Sequence, residues 1–178
     1  MSEQGFTPEF AKAYCAMMLD GILREAETTK KVIGAVPDAA SDYKPDPHAR
    51  TAKELAWHIA HSDVQFIEGI VNLKFDMQKQ EQQPETSAEV VAWYDARMKE
   101  AAGHLAGMSA EQLATPISFA GIFNFPAVVY LSFLNNHSIH HRGELATYLR
   151  PMGSRVPAIY GGSYDEPFRM PEPVESAA

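Results

Sequence analysis

Apolar residues recur at the three- and four-residue spacing of an α-helix along four long segments of this chain. The first segment begins at Thr7-Pro8, a helix-capping residue followed by proline at the first helical position. The second and third begin with TAKE (51–54) and TSAE (86–89), in which a capping threonine precedes a glutamate by three residues. These patterns predict helices over residues 7–33, 51–75, 86–106 and 126–149.

The segments between the predicted helices differ in composition. PDAASDYKPDPHAR (37–50) is rich in proline and aspartate and indicates a linker, whereas the apolar PISFAGIFNFP (116–126) is expected to form an extended connection packed on the helices. We predict an all-α four-helix bundle with an irregular C-terminal tail packed on it. One domain is expected over 1–178, with its core at 7–165 and a flexible tail at 166–178; the sequence leaves open which helices are neighbours.

The charge of the chain excludes two classes of partner. Lys and Arg number 15 against 23 Asp and Glu, a formal net charge of −8 with no basic block, whereas nucleic acid and anionic lipid bind clustered positive charge. No stretch approaches the roughly 20 apolar residues that span a bilayer. The opening MSEQGFTPEF lacks the basic and apolar regions of a signal peptide, so the chain is expected to be cytoplasmic.

Three of the seven histidines lie within HSIHH (137–141) of the fourth predicted helix. His137 and His141 are four residues apart, so they lie about 40° from each other around the helix, and His140 is rotated by about 100° from His141. Their stripe is otherwise apolar and is expected to face the core; its members are Tyr130, Leu134, Leu145 and Tyr148. Two buried imidazoles need partners, and at this spacing they can bind one metal ion. The alternative is that each ring is simply hydrogen-bonded.

The second predicted helix supplies the best third ligand. In ELAWHIAHSD (54–63), His58 borders the apolar stripe, whereas His61 is rotated by about 60° the other way, toward Asp63 and the solvent side. By itself His58 would be interpreted as structural, but with an inward-facing histidine pair it becomes a candidate ligand. Three neutral imidazoles leave coordination positions open for water and substrate, which is typical of a catalytic metal site.

Other motifs for metal or catalytic sites are absent from the sequence. No glutamate is followed three residues later by histidine, as a ferritin-like di-iron bundle requires, and the zinc-protease motif His-Glu-x-x-His does not occur. No glycine-rich phosphate loop or Gly-x-Ser-x-Gly turn is present. His48 and His104 are expected to be solvated, and Cys15 is expected to be a small buried residue.

These motifs resemble those of the DinB/YfiT-like family, bacterial four-helix bundles unrelated to the DNA polymerase that shares the DinB name. The resemblance covers nearly the whole chain and is carried by ELAWHIAHSD, HSIHHRGELATYLRPMG and VPAIYGGSYDE. It implies that His58, His137 and His141 bind a divalent metal, usually nickel or zinc. Many members have Gln where this chain has Glu144. Glu144 is expected to lie at the surface or face a partner; the alternative is that it accepts a hydrogen bond from a ligand imidazole.

The resemblance also implies activities such as thiol S-transfer and thiol-dependent isomerisation. The expected function is a metal-dependent thiol S-transferase or hydrolase, in which the metal acidifies a thiol or water that attacks a small electrophile. A low-molecular-weight thiol and a second copy of the chain are the expected partners. Tyr130 and Tyr148 are expected to line the substrate pocket or to pack in the core. No acid or base is assigned, and the candidates are His61 and His140. The alternative function is a non-catalytic metal-binding stress-response or dimeric interaction protein.

Overall fold

The computed structural model describes residues 6–79 and 81–168. Within these residues the chain forms five α-helices and one hairpin, with short 3-10 turns at Asp38–Ala40 and Ala127–Val129. The helices are α1 (Pro8–Gly34), α2 (Ala52–Val71), α3 (Ser87–Ala106), the short α4 (Ala110–Ala114) and α5 (Tyr130–Leu149). The hairpin strands are β1 (Pro116–Phe119) and β2 (Phe123–Pro126). The predicted helical fold is confirmed, with four long helices forming the bundle.

The starts of α2 and α3 agree with the capping boxes in the sequence. The Thr51 hydroxyl accepts a hydrogen bond from the backbone N–H of Glu54 (3.3 Å), and the Glu54 carboxylate accepts one from the N–H of Thr51 (2.8 Å). Thr86 and Glu89 repeat this exchange at the start of α3, at 3.2 and 3.0 Å. Each box satisfies two backbone donors that have no partner inside the helix, which is why the helices begin there.

The predicted end of the second helix at Phe75 is wrong. Helix α2 ends at Val71 because Leu73 takes a left-handed conformation (φ 54°). The N–H of Lys74 then bonds to the carbonyl of Gly69, and the N–H of Leu73 bonds to that of Ile70, the pattern of a Schellman motif. Because this conformation is uncommon for leucine, the turn is not evident from the sequence. It brings Phe75 back against α2.

The segment PISFAGIFNFP is extended, as predicted, but it pairs with itself. Strands β1 and β2 are antiparallel, with Phe119 opposite Phe123, and the turn places Ala120 (φ 53°) and Gly121 (φ 72°) in left-handed conformations. The fourth predicted helix therefore starts later than residue 126. A 3-10 turn follows β2, and α5 begins at Tyr130.

The helix neighbours, which the sequence left open, follow from the packing. Helix α2 packs against α3 and α5, and α1 packs against the same two helices. Helices α1 and α2 therefore stand diagonally across the bundle, and residues 35–51 cross between them.

Among the described residues, no helix combines the length and the apolar character that crossing a bilayer requires.

The irregular segment after α5 packs on the bundle, as predicted. Met152, Val156 and Ile159 are partly buried against the core, and the Ser154 hydroxyl donates a hydrogen bond to the carbonyl of Ala35 after α1 (2.6 Å). The predicted flexible tail at 166–178 lies, from residue 169 onward, outside the described residues.

Candidate metal centre

The structure brings together the three histidines that the sequence singled out. His58 of α2 faces His137 and His141 of α5, with imidazole centroids 4.9 and 4.7 Å from that of His58 and 4.6 Å from each other. The Nε2 atoms of His58 and His137 are 3.1 Å apart. One nitrogen from each ring lies within 4.8 Å of the others, so all three can reach one ion.

This donor set fits a divalent ion. A zinc–nitrogen bond of about 2.0–2.1 Å in a tetrahedral site separates two ligand nitrogens by about 3.3 Å, close to the distance between His58 and His137. The Nδ1–H of His141 donates to the Glu144 carboxylate (2.9 Å), which leaves its Nε2 free as a ligand. The Ser62 hydroxyl lies 3.4 Å from Nδ1 of His58. The alternative expected for Glu144, a hydrogen bond to a ligand imidazole, is present, although the Glu144 side chain also remains 36% exposed at the surface.

The electrostatics of the site hold two imidazoles neutral. Burial, followed by the positive charge of Arg50, lowers the pKa of His58 from 6.5 to about 3. Burial and the neighbouring His141 lower the pKa of His137 to about 4. Only a neutral imidazole has a lone pair for a metal ion, so both side chains are in the ligating form at neutral pH.

The four apolar residues predicted to face the core from α5, Tyr130, Leu134, Leu145 and Tyr148, are all buried. The buried stripe is wider than predicted and also includes Leu131, Ser138, Arg142 and Leu149. His137 and His141 border this stripe and are half-buried, whereas His140 is exposed. The candidate ligands therefore lie at the edge of the core, where a small molecule can approach them. His140 also lies close enough to His141 and Glu144 for the three to offer ligand atoms to one ion.

His61 lies apart from the three candidate ligands. Its ring is half-buried rather than solvated, and it stacks on Trp57 with centroids 5.1 Å apart. Its Nε2 is buried and makes no hydrogen bond to any described residue, and burial lowers its pKa. His48 and His104 are exposed, and Cys15 is buried, as expected.

A cavity of about 340 Å³ opens beside His58 and His137. It is bounded by the second half of α2, the loop that follows and strand β1, and three phenylalanines form its apolar wall: Phe66, Phe75 and Phe119. Neither Tyr130 nor Tyr148, the two predicted substrate contacts, is part of the lining. The Tyr130 hydroxyl instead donates to the carbonyl of Ile117 (2.9 Å), and the Tyr148 hydroxyl donates to Glu144 (3.2 Å).

Two buried polar clusters were not predicted from the sequence. Asp63, which was expected on the solvent side of α2, is only 1% exposed, and its Oδ2 accepts hydrogen bonds from Tyr94 of α3 (2.7 Å) and Ser138 of α5 (2.8 Å). A carboxyl and two hydroxyls thus connect three helices inside the core. The sequence did carry one indication of this cluster: Ser138 lies four residues after Leu134, on the apolar stripe of α5.

Arg142 forms the second cluster and is also 1% exposed. Its guanidinium crosses to α1, where it pairs with the Glu25 carboxylate and donates to the Glu25 carbonyl (3.0 Å). It also donates to the hydroxyl of Tyr160 (2.6 Å), which in turn donates to Glu25 (2.8 Å). The residue that follows His141 is therefore bonded to both α1 and the C-terminal segment.

A sequence profile of the DinB family matches residues 3–172. The chain belongs to the DinB family. Among DinB relatives, the Bacillus subtilis (strain 168) protein YrdA, described as uncharacterized, is 26% identical over 144 residues, which are 80% of this chain and 85% of YrdA.

Two solved structures support the DinB assignment. The crystal structure of a DinB-like protein from Bacillus cereus ATCC 10987 matches with a TM-score of 0.69 at 26% identity, over 80% of this chain and 95% of that one. The DinB-like protein YjoA of Bacillus subtilis matches with a TM-score of 0.67 over 80% and 97% of the two chains. At 22% identity, the likeness to YjoA shows the DinB fold alone.

Proposed function

We propose that this DinB-family protein is a metal-dependent enzyme whose ion, nickel or zinc, is held by His58, His137 and His141. The observation that carries the proposal is the convergence of three imidazoles from two helices at the end of a cavity. A site with three protein ligands that adjoins a cavity has coordination positions left for a small molecule.

The residues around this site have separable roles. A bound nickel or zinc ion supplies a Lewis acid that lowers the pKa of a thiol or water molecule. Burial keeps His58 and His137 neutral, and the Glu144 carboxylate fixes the proton of His141 on Nδ1. The phenyl ring of Phe66, with its centroid 5.9 Å from that of His137, makes that side of the site apolar, which strengthens electrostatic interactions within it. The reaction is transfer of a low-molecular-weight thiol to a small electrophile, or hydrolysis of that electrophile.

The test is elemental analysis of protein purified without a histidine tag, followed by cobalt substitution. We expect about one ion per chain in the wild type and in His140→Ala, and a large loss in His58→Ala. The absorption spectrum of the cobalt protein is then recorded during titration with 2-mercaptoethanol. A changed spectrum supports the enzyme. An unchanged spectrum favours the alternative of a non-catalytic metal-binding protein, and a wild type without metal refutes both.

A further inference from the structure

We propose that the cavity beside His58 and His137 binds a small molecule with a flat, uncharged ring system, and that this aromatic body is the substrate part recognised by the protein. This rests on the proposed function, since it names the substrate class of the same site. A volume of about 340 Å³ is the share of roughly eleven water molecules in liquid water, enough for a compound of one or two fused rings.

Five flat rings line the cavity. Phe66 and Phe119 are nearly parallel, at 5° and with centroids 5.6 Å apart, and Phe75 meets both edge-on, at 76° and 80°. The fourth ring is His137, whose centroid lies 5.9 Å from that of Phe66, and the fifth is His58. A flat ligand that stacks on the phenyl rings therefore also reaches the candidate metal ligands. Aromatic faces and edges attract another aromatic ring through their quadrupoles, and they attract a saturated ring less.

Backbone geometry creates this aromatic wall. A Cβ atom added to Gly69 would lie 2.2 Å from Cδ1 of Phe75, so the phenyl ring occupies the space that any other residue at 69 would need. Phe75 reaches this position because the chain reverses direction at Leu73 (φ 54°). The wall thus depends on a glycine and on a strained turn, two features that helix packing alone does not require.

Four charged side chains line the cavity and their charges cancel, because Glu68 and Asp76 are negative and Lys74 and Lys79 are positive. The Glu68 carboxylate binds both Lys79 (2.6 Å) and Arg97, and Lys79 also lies 3.3 Å from Glu81. Gln65 donates its amide to the carbonyl of Lys79 (2.7 Å). A ring system with a net charge would meet no net opposite charge in this lining and would disturb the pair of Glu68 and Lys79, whereas an uncharged ring system would leave that pair intact. The body of the ligand is therefore uncharged.

The experiment compares 2-naphthol with decahydro-2-naphthol, which has the same carbon skeleton without aromaticity. Calorimetric titration of chelator-treated protein at pH 7 is expected to show at least tenfold tighter binding of 2-naphthol. Phe119→Leu should abolish most of this preference because it keeps apolar volume and removes a ring. The matched control is Phe123→Leu on the same hairpin, since Phe123 does not line the cavity, and it should keep the preference.

Equal or tighter binding of decahydro-2-naphthol would overturn the inference, as would a preference that persists in Phe119→Leu. If Phe119→Leu does not fold, proton NOEs between 2-naphthol and the wild-type Phe119 ring decide the question, because their absence places the probe elsewhere. The outcome is separate from that of the metal analysis. Ring-selective binding to a protein that never holds metal would refute the proposed function and leave this site in place. Metal binding without ring-selective binding would refute only this inference.

Discussion

The buried carboxyl of Asp63 should make the protein less stable as the pH rises. Its Oδ2 accepts hydrogen bonds from Tyr94 and Ser138, whereas its Oδ1 is buried and bonds to no described residue. Burial raises the pKa of Asp63 from 3.8 to about 7, against the opposing effect of these hydrogen bonds and of Arg142. The folded protein therefore holds this proton more tightly than the unfolded chain does.

The magnitude follows from linkage between proton binding and folding. Because the folded-state pKa is raised, the stabilisation from this proton is fully present below pH 3.8 and is lost as the pH rises to about 7. The difference of 7 − 3.8 = 3.2 units, at about 1.36 kcal/mol per unit, corresponds to about 4 kcal/mol of unfolding free energy.

Asp63→Asn tests this loss directly. The amide keeps the shape of the side chain and one acceptor oxygen but does not titrate, so any cost of burying its NH₂ group is the same at every pH. Urea denaturation of both metal-free proteins at pH 4.5, 6, 7 and 8 gives the free energy difference between them. We expect the unfolding free energy of the wild type to fall by about 3–4 kcal/mol relative to that of the variant between pH 4.5 and pH 8.

Titration of the histidines has the opposite sign and cancels in this comparison. Because the pKa values of His58 and His137 are lowered, their stabilisation is present above pH 6.5 and is lost as the pH falls toward 4 and 3, equally in both proteins. The control is Asp95→Asn. Because Lys30 lowers the pKa of this exposed carboxyl, its titration changes the stability only below pH 3.8, outside the measured range. A difference between wild type and Asp63→Asn that does not change with pH would refute the reasoning.

Three further predictions follow from the site and its cavity. His137→Ala or His141→Ala should remove most of the metal measured by elemental analysis, whereas His140→Ala should not; equal losses would contradict the assignment of ligands. Chelation at pH 7.5 should lower the melting temperature, because an ion bound only to the folded state at a hundredfold excess over its Kd contributes about 2.7 kcal/mol. An unchanged melting temperature after confirmed metal loss would show that the ion does not hold α2 and α5 together. Gly69→Ala should destabilise the protein by about 1–3 kcal/mol in urea denaturation, because the added methyl group overlaps a phenyl ring of the cavity wall. Gly103→Ala, with no atom within 4 Å of its added Cβ, should not destabilise it.

The helix starts were predictable because they depend on short local sequences. The capping boxes at Thr51 and Thr86 need only a threonine and a glutamate three residues later, and both boxes are present in the structure. The end of α2 and the turn of the hairpin were not predictable in this way. They depend on left-handed conformations at Leu73 and Ala120, residue types that rarely adopt them and do so here within a packed tertiary structure.

The convergence of the candidate ligands was predictable for a different reason. Helical periodicity and the family resemblance both selected His58, His137 and His141. These residues come together because each lies on the inward-facing edge of its helix and the two helices are neighbours. The burial of Asp63 and Arg142 was missed because the partners that make it tolerable come from distant parts of the chain. A sequence shows the polar side chain but not the hydroxyl or carboxylate that satisfies it.

The separation of the candidate ligands along the chain affects how the protein matures in the cell. His58 and His137 are 79 residues apart, which a ribosome translates in roughly 4 to 16 seconds at about 5–20 residues per second. During this interval the nascent chain offers an ion only one of the three imidazoles, so the proposed site can form only after residue 141 has been synthesised. An ion bound there would be selected from whatever its surroundings supply, and imidazole sites rank divalent metals in the Irving–Williams order. Recombinant protein from zinc-supplemented and nickel-supplemented cultures should therefore carry different ions on the same folded chain.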